Sequence, residues 1–127
     1  MSWSFPSEIQ RVNILNASLA AMGRAAVRSA GSRKVVVAVD GPRRIKDLPL
    51  PQKTVVGGDD LSLAVACAGI VAKVIRDRWL ERLERRYPGY GLARHKGYGT
   101  AAHLEALRRL GPAPIHRRDF APVAALL

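Results

Sequence analysis

The run Lys34–Val39, KVVVAV, constrains the fold more than any other segment. Its β-branched residues favour extended backbone. No polar residue alternates within it, so both faces want apolar cover, the pattern of a parallel or mixed sheet flanked by helices. The strand ends in Asp40-Gly41, and a second short strand is expected at Lys53–Val56, closed by Gly57-Gly58. Helical patterns lie on either side. Ser7 is expected to open the first helix, with Gln10 as its capping-box partner. Ile9, Val12, Leu15, Leu19, Met22 and Ala26 follow in steps of three and four to a stop at Gly31. Asp59 and Asp60 suit the start of a long helix running from about Leu61 to Tyr87. Its Ala/Val/Ile-rich first half is expected to be buried. In its second half Asp77, Glu81 and Glu84 are interleaved with Arg78, Arg82, Arg85 and Arg86, giving a solvated face with i,i+4 pairs. Pro88 ends that helix. Thr100 caps a short one to Leu110, which Gly111-Pro112 stops. Strands alternating with helices predict an α/β fold in a single domain over residues 1–127.

That strand also makes a demand that the rest of the chain does not meet. Only about two short strands are visible, while an independently stable sheet generally has three or more. Open apolar edges invite association. The expectation is a fragment, or a chain that completes its sheet with a partner, self-association included.

The chain has 127 residues, 48% of them hydrophobic, which excludes a disordered polymer. Lys and Arg total 21 against 10 acidic residues, a net charge of +11. Such an excess predicts polyanionic partners, nucleic acid before anionic membrane. The lone cysteine, Cys67, lies in an apolar run. It excludes a disulfide framework and reads as a buried small hydrophobe in a reducing compartment. No run approaches the roughly 20 apolar residues that span a bilayer. No secretory signal is visible. These features predict a cytoplasmic protein with no membrane partner.

Two aspartates fall where chemistry often falls. Asp40 lies at the C-terminal end of the buried strand, and Asp59 where a strand hands over to a helix, the edge at which open α/β sheets bind ligands. Two carboxylates meeting there can share Mg²⁺ or Mn²⁺, which prefer oxygen ligands. The plainer alternatives are a turn at Asp40-Gly41 and a helix cap at Asp59. The C-terminal half carries a different signature. Its HKGYGT loop presents Tyr98 on a tight turn flanked by Arg94 and Lys96, which are expected to contact a phosphate backbone. Lys73 either reaches the same substrate or pairs with Asp77. His103 reads as a helix-face residue, and His116, beside Arg117 and Arg118, as a phosphate contact. His95, His103 and His116 do not have metal-ligand spacing. Tyr87 and Tyr90 read as packing residues. No base is spaced to activate Ser62 or Cys67 as a nucleophile.

The segments EIQRVNILNASLAAM, LAVACAGIVAKVIRD, HKGYGT and IHRR-x-FAPV together resemble one family, the type 2 ribonucleases H (ribonuclease HII), from about Glu8 to Val123. The resemblance implies an RNase H-like α/β fold. Here it would be a truncated mixed sheet, its N-terminal strands missing, flanked by helices in a single partial domain. It implies metal-dependent cleavage of RNA in RNA–DNA hybrids, or at single ribonucleotides in duplex DNA, with Mn²⁺ or Mg²⁺ as cofactor. Asp40 and Asp59 correspond to two of that family's four metal-binding catalytic carboxylates, and Tyr98 to the tyrosine that reads the ribose–deoxyribose junction. Arg94, Lys96 and Lys73 would contact substrate. The sequence also departs from the family pattern. The Asp-Glu-Ala-Gly-Arg-Gly segment that carries the other two carboxylates does not occur in it. Gly57-Gly58-Asp59 replaces Lys-Gly-Asp, and Asp40-Gly41-Pro42 replaces Asp-Gly-Asn, Pro42 removing a backbone donor. Gly69 and Asp119 stand at two positions where the family has serine. The expectation is a weakly active or inactive member. The alternatives are a non-catalytic basic nucleic-acid-binding module and a fragment of a longer gene product.

Overall fold

The apolar stripe from Ile9 to Ala26 does not form one uninterrupted helix. In the computed structural model, which describes residues 1–127, helix α1 (Pro6–Ala30) is broken at Asn13, whose φ of 65° is left-handed. Asparagine tolerates that region because its short side chain can bond locally. Here Asn13 Oδ1 accepts from the Asn16 N–H at 3.0 Å and so restarts the helix as its cap. The break folds the first turns back along the rest. Arg24 binds both carboxylate oxygens of Glu8, at 2.8 and 3.1 Å, and donates to the carbonyl of Trp3. Ser4 Oγ donates to the Ala17 carbonyl at 2.8 Å. The helix begins after Phe5 with Pro6 in its first turn and no side-chain cap, so Ser7 is not the capping residue.

The backbone divides into two units, Met1–Ala72 and Lys73–Leu127. The first holds α1, strands β1 (Val37–Asp40) and β2 (Gln52–Val55), the short helix α2 (Gly58–Leu61) and the start of α3 (Leu63–Arg86). The strands form a two-stranded parallel sheet in which Val37 pairs with Gln52 and Asp40 with Val55. β1 is shorter than its apolar run suggested and β2 begins and ends one residue earlier, because a strand persists only where it has a partner; Val36 and Val56 lie outside the ladder, 70% and 73% exposed. The loop between the strands is pinned by Gln52, whose side chain bonds both N–H and C=O of Ile45 at 2.7 Å. Ile45 is buried against Gly23, where an added Cβ would lie 2.9 Å from its Cγ2.

Helix α3 differs from expectation in two ways. Asp59 and Asp60 belong to the separate helix α2, because Ser62 is extended and interrupts the backbone before α3. The apolar first half of α3 also contains no buried residue: Ile70 is 62% and Val71 53% exposed, and Cys67 is exposed as well.

The second unit contains most of α3 from Lys73 onward, α4 (Leu92–His95), α5 (Ala101–Leu110) and α6 (Ala121–Ala124). Its core is Tyr90, Leu92, Ala106, Leu107 and Val123, with Leu83, Tyr87 and Phe120 packed against it. Tyr87 and Tyr90 therefore are packing residues, and the Tyr90 hydroxyl donates to the Gly111 carbonyl at 2.7 Å. Thr100 caps α5 by accepting from the His103 N–H, and Gly111 ends it at a φ of 71°.

Candidate active site and nucleic-acid interface

Strand β1 delivers Asp40 to the end of the sheet, beside the turn that leaves β2. The turn uses Gly57 at a φ of 66°, where glycine carries no steric penalty. The next residue, Gly58, is buried, and its N–H donates to Asp40 Oδ1 at 2.8 Å. A Cβ at Gly58 would sit 3.3 Å from that oxygen and equally close to Val65 Cγ1. A side chain here would crowd both the carboxylate and Val65. Asp59 follows directly in the first turn of α2. The chain thus brings the Asp40 carboxylate against the residue that precedes Asp59, although the two aspartates are remote in sequence. Asp40 Oδ1 accepts from the first residue of α2, whose N-cap is Gly57, and Asp59 lies within the helix and does not cap it.

The donor set suits a hard divalent cation in a limited way. Neither Asp40 nor Asp59 enters an ion pair, although the chain carries a net charge of +11. Their oxygens match the preference of Mg²⁺ and Mn²⁺. No group of three or more His, Cys, Asp or Glu side chains is arranged so that it could hold a metal ion. An ion held at this edge would draw on Asp40 and Asp59 and otherwise on water.

In the second unit, Tyr98 stands on a turn in which Lys96 and Gly97 are both left-handed, with φ of 51° and 76°. A lysine in that region is strained and needs its neighbours to hold it. Arg76 does so from one side, donating to the Lys96 carbonyl at 2.8 Å while its guanidinium lies 5.2 Å from the centre of the Tyr98 ring. Lys96 Nζ pairs with Glu81 at 2.6 Å. The Tyr98 N–H donates to the His95 carbonyl at 2.9 Å. The result is a fixed backbone carrying a ring that is 63% exposed.

The acids of α3 do not form the i,i+4 pairs with arginine that their spacing suggests; the one arginine they meet is Arg76, 3.6 Å from the adjacent Asp77. Asp77 binds Lys73 at 2.9 Å, and that bond holds its carboxyl below the usual range. Glu84 accepts from the backbone N–H groups of Gly89, Leu92 and Ala93 and so caps α4. With the acids engaged in building the turn, Arg78, Arg82, Arg85, Arg86 and Arg94 are exposed and have no carboxylate partner. Of the residues expected to meet substrate, Tyr98 and Arg94 are exposed, Lys96 is held by Glu81, and Lys73 is engaged by Asp77. His116 does not face outward: its Nε2 lies 3.3 Å from His103 Nε2 and its Nδ1 accepts from the Ala113 N–H at 3.0 Å. Arg76 carried no sequence signal beyond its place in an arginine-rich helix.

Residues 3–123 match the family model described as Ribonuclease HII. The chain is 54% identical over 120 residues to the ribonuclease HII of Acaryochloris marina, an alignment covering 94% of this chain and 60% of the relative. It is 52% identical over 122 residues to that of Halorhodospira halophila, covering 95% and 63%. With that of Dichelobacter nodosus the identity is 46% over 126 residues, covering 99% and 66%. The chain therefore spans about 60% of the length of the curated relatives it matches.

Proposed function

We infer the function of this chain from the fact that it belongs to the ribonuclease HII family. The proposed activity is divalent-metal-dependent endonucleolytic cleavage of RNA in RNA–DNA hybrids, including single ribonucleotides in duplex DNA. The observation that carries it is the approach of Asp40 to the Gly57-Gly58-Asp59 turn, closed by the 2.8 Å bond from Gly58. That bond orients one Asp40 oxygen and leaves the other for a ligand. Asp40 and Asp59 would hold Mn²⁺ or Mg²⁺. The ion supplies positive charge that offsets the negative charge developing on the phosphoryl group.

The chain's own residues have separate tasks. Tyr98 stacks on the sugar at the ribose–deoxyribose junction, an exposed ring on a fixed backbone. Arg94 and the arginines of α3 neutralise phosphates. Lys96 and Lys73 reach the backbone only by leaving Glu81 and Asp77, so they contribute less than Arg94. Because this chain presents two carboxylates where the family pattern implies four, the expected turnover is low. A cytoplasmic setting is part of the proposal. No helix is long and apolar enough to cross a membrane.

Self-association through the sheet is also proposed. It is supported by the two-stranded ladder and by the exposure of Val36, Val56, Ile70 and Val71. A sharp thermal transition of a monomer at low concentration would count against it.

The test of activity is a labelled DNA duplex carrying one ribonucleotide, incubated with Mn²⁺ beside an Asp40→Ala control. Slow cleavage on the 5′ side of the ribonucleotide that vanishes in the control is the expected result. No cleavage, with salt-sensitive binding retained, would make the chain a nucleic-acid-binding module and not an enzyme.

A further inference from the structure

The three histidines of the chain, His95, His103 and His116, pack together behind the Tyr98 loop, and the chemistry proposed above uses none of them. His95 and His103 stack with ring centres 4.2 Å apart and are 8% and 2% exposed. His116 tilts against His103 at 5.5 Å and against the Tyr90 ring at 4.9 Å.

Their hydrogen bonds favour one arrangement of protons. The Tyr98 carbonyl can only accept, so His103 Nδ1, 2.9 Å away, carries a hydrogen. In the neutral ring His103 Nε2 is then an acceptor, and the His116 Nε2 that lies 3.3 Å from it is the donor. That leaves His116 Nδ1 to accept, which is the role demanded by the Ala113 N–H at 3.0 Å. His95 is settled independently: its Nδ1 accepts from the Gly97 N–H at 3.2 Å, and its Nε2 donates to the Tyr90 carbonyl at 2.6 Å. One neutral tautomer set satisfies all of these bonds; the contact it leaves unused is the longer approach of His116 Nδ1 to the Ala113 carbonyl, at 3.2 Å.

We infer that His95, His103 and His116 are positioning residues for Tyr98, a neutral relay running from the Ala113 N–H through His116 and His103 to the Tyr98 carbonyl. The inference rests on the reading of Tyr98 as the contact with the ribonucleotide junction. The relay sets the pitch of the loop, and so the preference of this chain for a duplex that carries a ribonucleotide.

Protonation breaks the relay. An added proton on His95 Nδ1 would meet the Gly97 N–H, and one on His103 Nε2 would meet His116 Nε2–H. Only His116 has an acceptor within reach for a second proton, the Ala113 carbonyl 3.2 Å from its Nδ1. No carboxylate faces the cluster to stabilise a cation. Lys96, next to His95, turns to Glu81, and Arg117, next to His116, turns to Asp119. The electrostatic partners acting on His103 and His116 are the other imidazoles, and burial together with them depresses both pKa values.

The experiment uses the full chain and has two arms. Nitrogen-15 NMR of the histidine rings at pH 7.5 should show His103 protonated at Nδ1 and His95 and His116 at Nε2. A His103 protonated at Nε2 overturns the relay whatever the substrate is. In the second arm, affinity is measured in EDTA for a labelled duplex with one ribonucleotide and for the all-DNA duplex. The ratio should fall about tenfold in His103→Phe, the effect of losing one oriented hydrogen bond. His103→Asn, whose amide N–H replaces Nδ1–H, should keep it at pH 7.5. For the wild-type chain the ratio should fall as pH drops from 7.5 to 5.5. A folded His103→Phe chain with an unchanged ratio, or a flat pH profile, overturns the inference. A wild-type chain that shows no preference at all sinks the reading of Tyr98 instead, and the tautomers still decide the relay.

Discussion

In Lys73–Leu127 the residues expected to meet substrate stand on a closed core, with Leu107 and Val123 each 1% exposed. In Met1–Ala72 the carboxylates stand at the end of a two-stranded sheet, and Val36 and Val56 beside it are more than two-thirds exposed. The first arrangement is over-determined: caps, a histidine stack and Arg76 all converge on one loop. The second is held locally by single contacts, the Gln52 clamp on Ile45 and the Gly58 bond to Asp40. The contrast teaches that recognition and chemistry need different amounts of scaffold. A binding loop can be fixed by its own neighbours, whereas a carboxylate at a strand end is only as rigid as the sheet behind it.

The largest expected effect comes from the closed core. Leu107→Ala should destabilise the second unit by about 3 kcal/mol, read by urea denaturation. Val39→Ala, at the equally buried centre of β1, should cost clearly less, because the surrounding sheet can relax. Equal losses would break the comparison. Gly23→Ala should follow, with a net cost of about 1 kcal/mol. The new methyl would sit 2.9 Å from Ile45 Cγ2, an overpacking penalty partly offset by alanine's higher helix propensity.

Between pH 7.5 and 5.5 the pH dependence should come from the histidines of the second unit. Burial holds His103 and His116 below the ordinary value of 6.5, so the unfolded chain binds protons that the folded one does not. Their contribution to stability is complete above about pH 6.5 and is lost as pH falls toward the folded values. Denaturation midpoints at pH 7.5 and 5.5 should differ in the wild type and converge in His103→Asn/His116→Asn; midpoints that rise on acidification would refute the neutral stack. The smallest effects concern the exposed cations. Arg82→Ala or Arg94→Ala should change stability by no more than about 0.5 kcal/mol. A residue that touches phosphate should lower the slope of log affinity against log salt by about one.

Much of the second unit was legible because its signals are local. Thr100 as a cap, Gly111 as a stop and HKGYGT as a tight turn follow from backbone chemistry over a few residues. The turn after β2 and the end of β1 at Asp40 were legible for the same reason. What escaped was set by longer-range partnering. Asn13 lay inside a continuous stripe, yet its side chain restarts the helix at Asn16, the one available hint being asparagine itself. The acids of α3 sit at helix spacing from arginines, but unpaired N–H groups of the next turn compete more strongly for Glu84. The histidine stack had no signature, because residues 95, 103 and 116 share no periodicity and meet only through the fold. The apolar half of α3 was expected to be buried. Composition states a preference for cover, and only the fold decides whether anything supplies it.

The most direct test of the account is the ratio of affinities for a ribonucleotide-containing and an all-DNA duplex, measured in EDTA for the wild-type chain, Tyr98→Ala and Asp40→Ala. Recognition resting on the second unit predicts metal-independent binding whose ratio collapses toward one in Tyr98→Ala and is unchanged in Asp40→Ala. A ratio that survives in Tyr98→Ala, or that is lost with Asp40, would contradict the separation of recognition from chemistry.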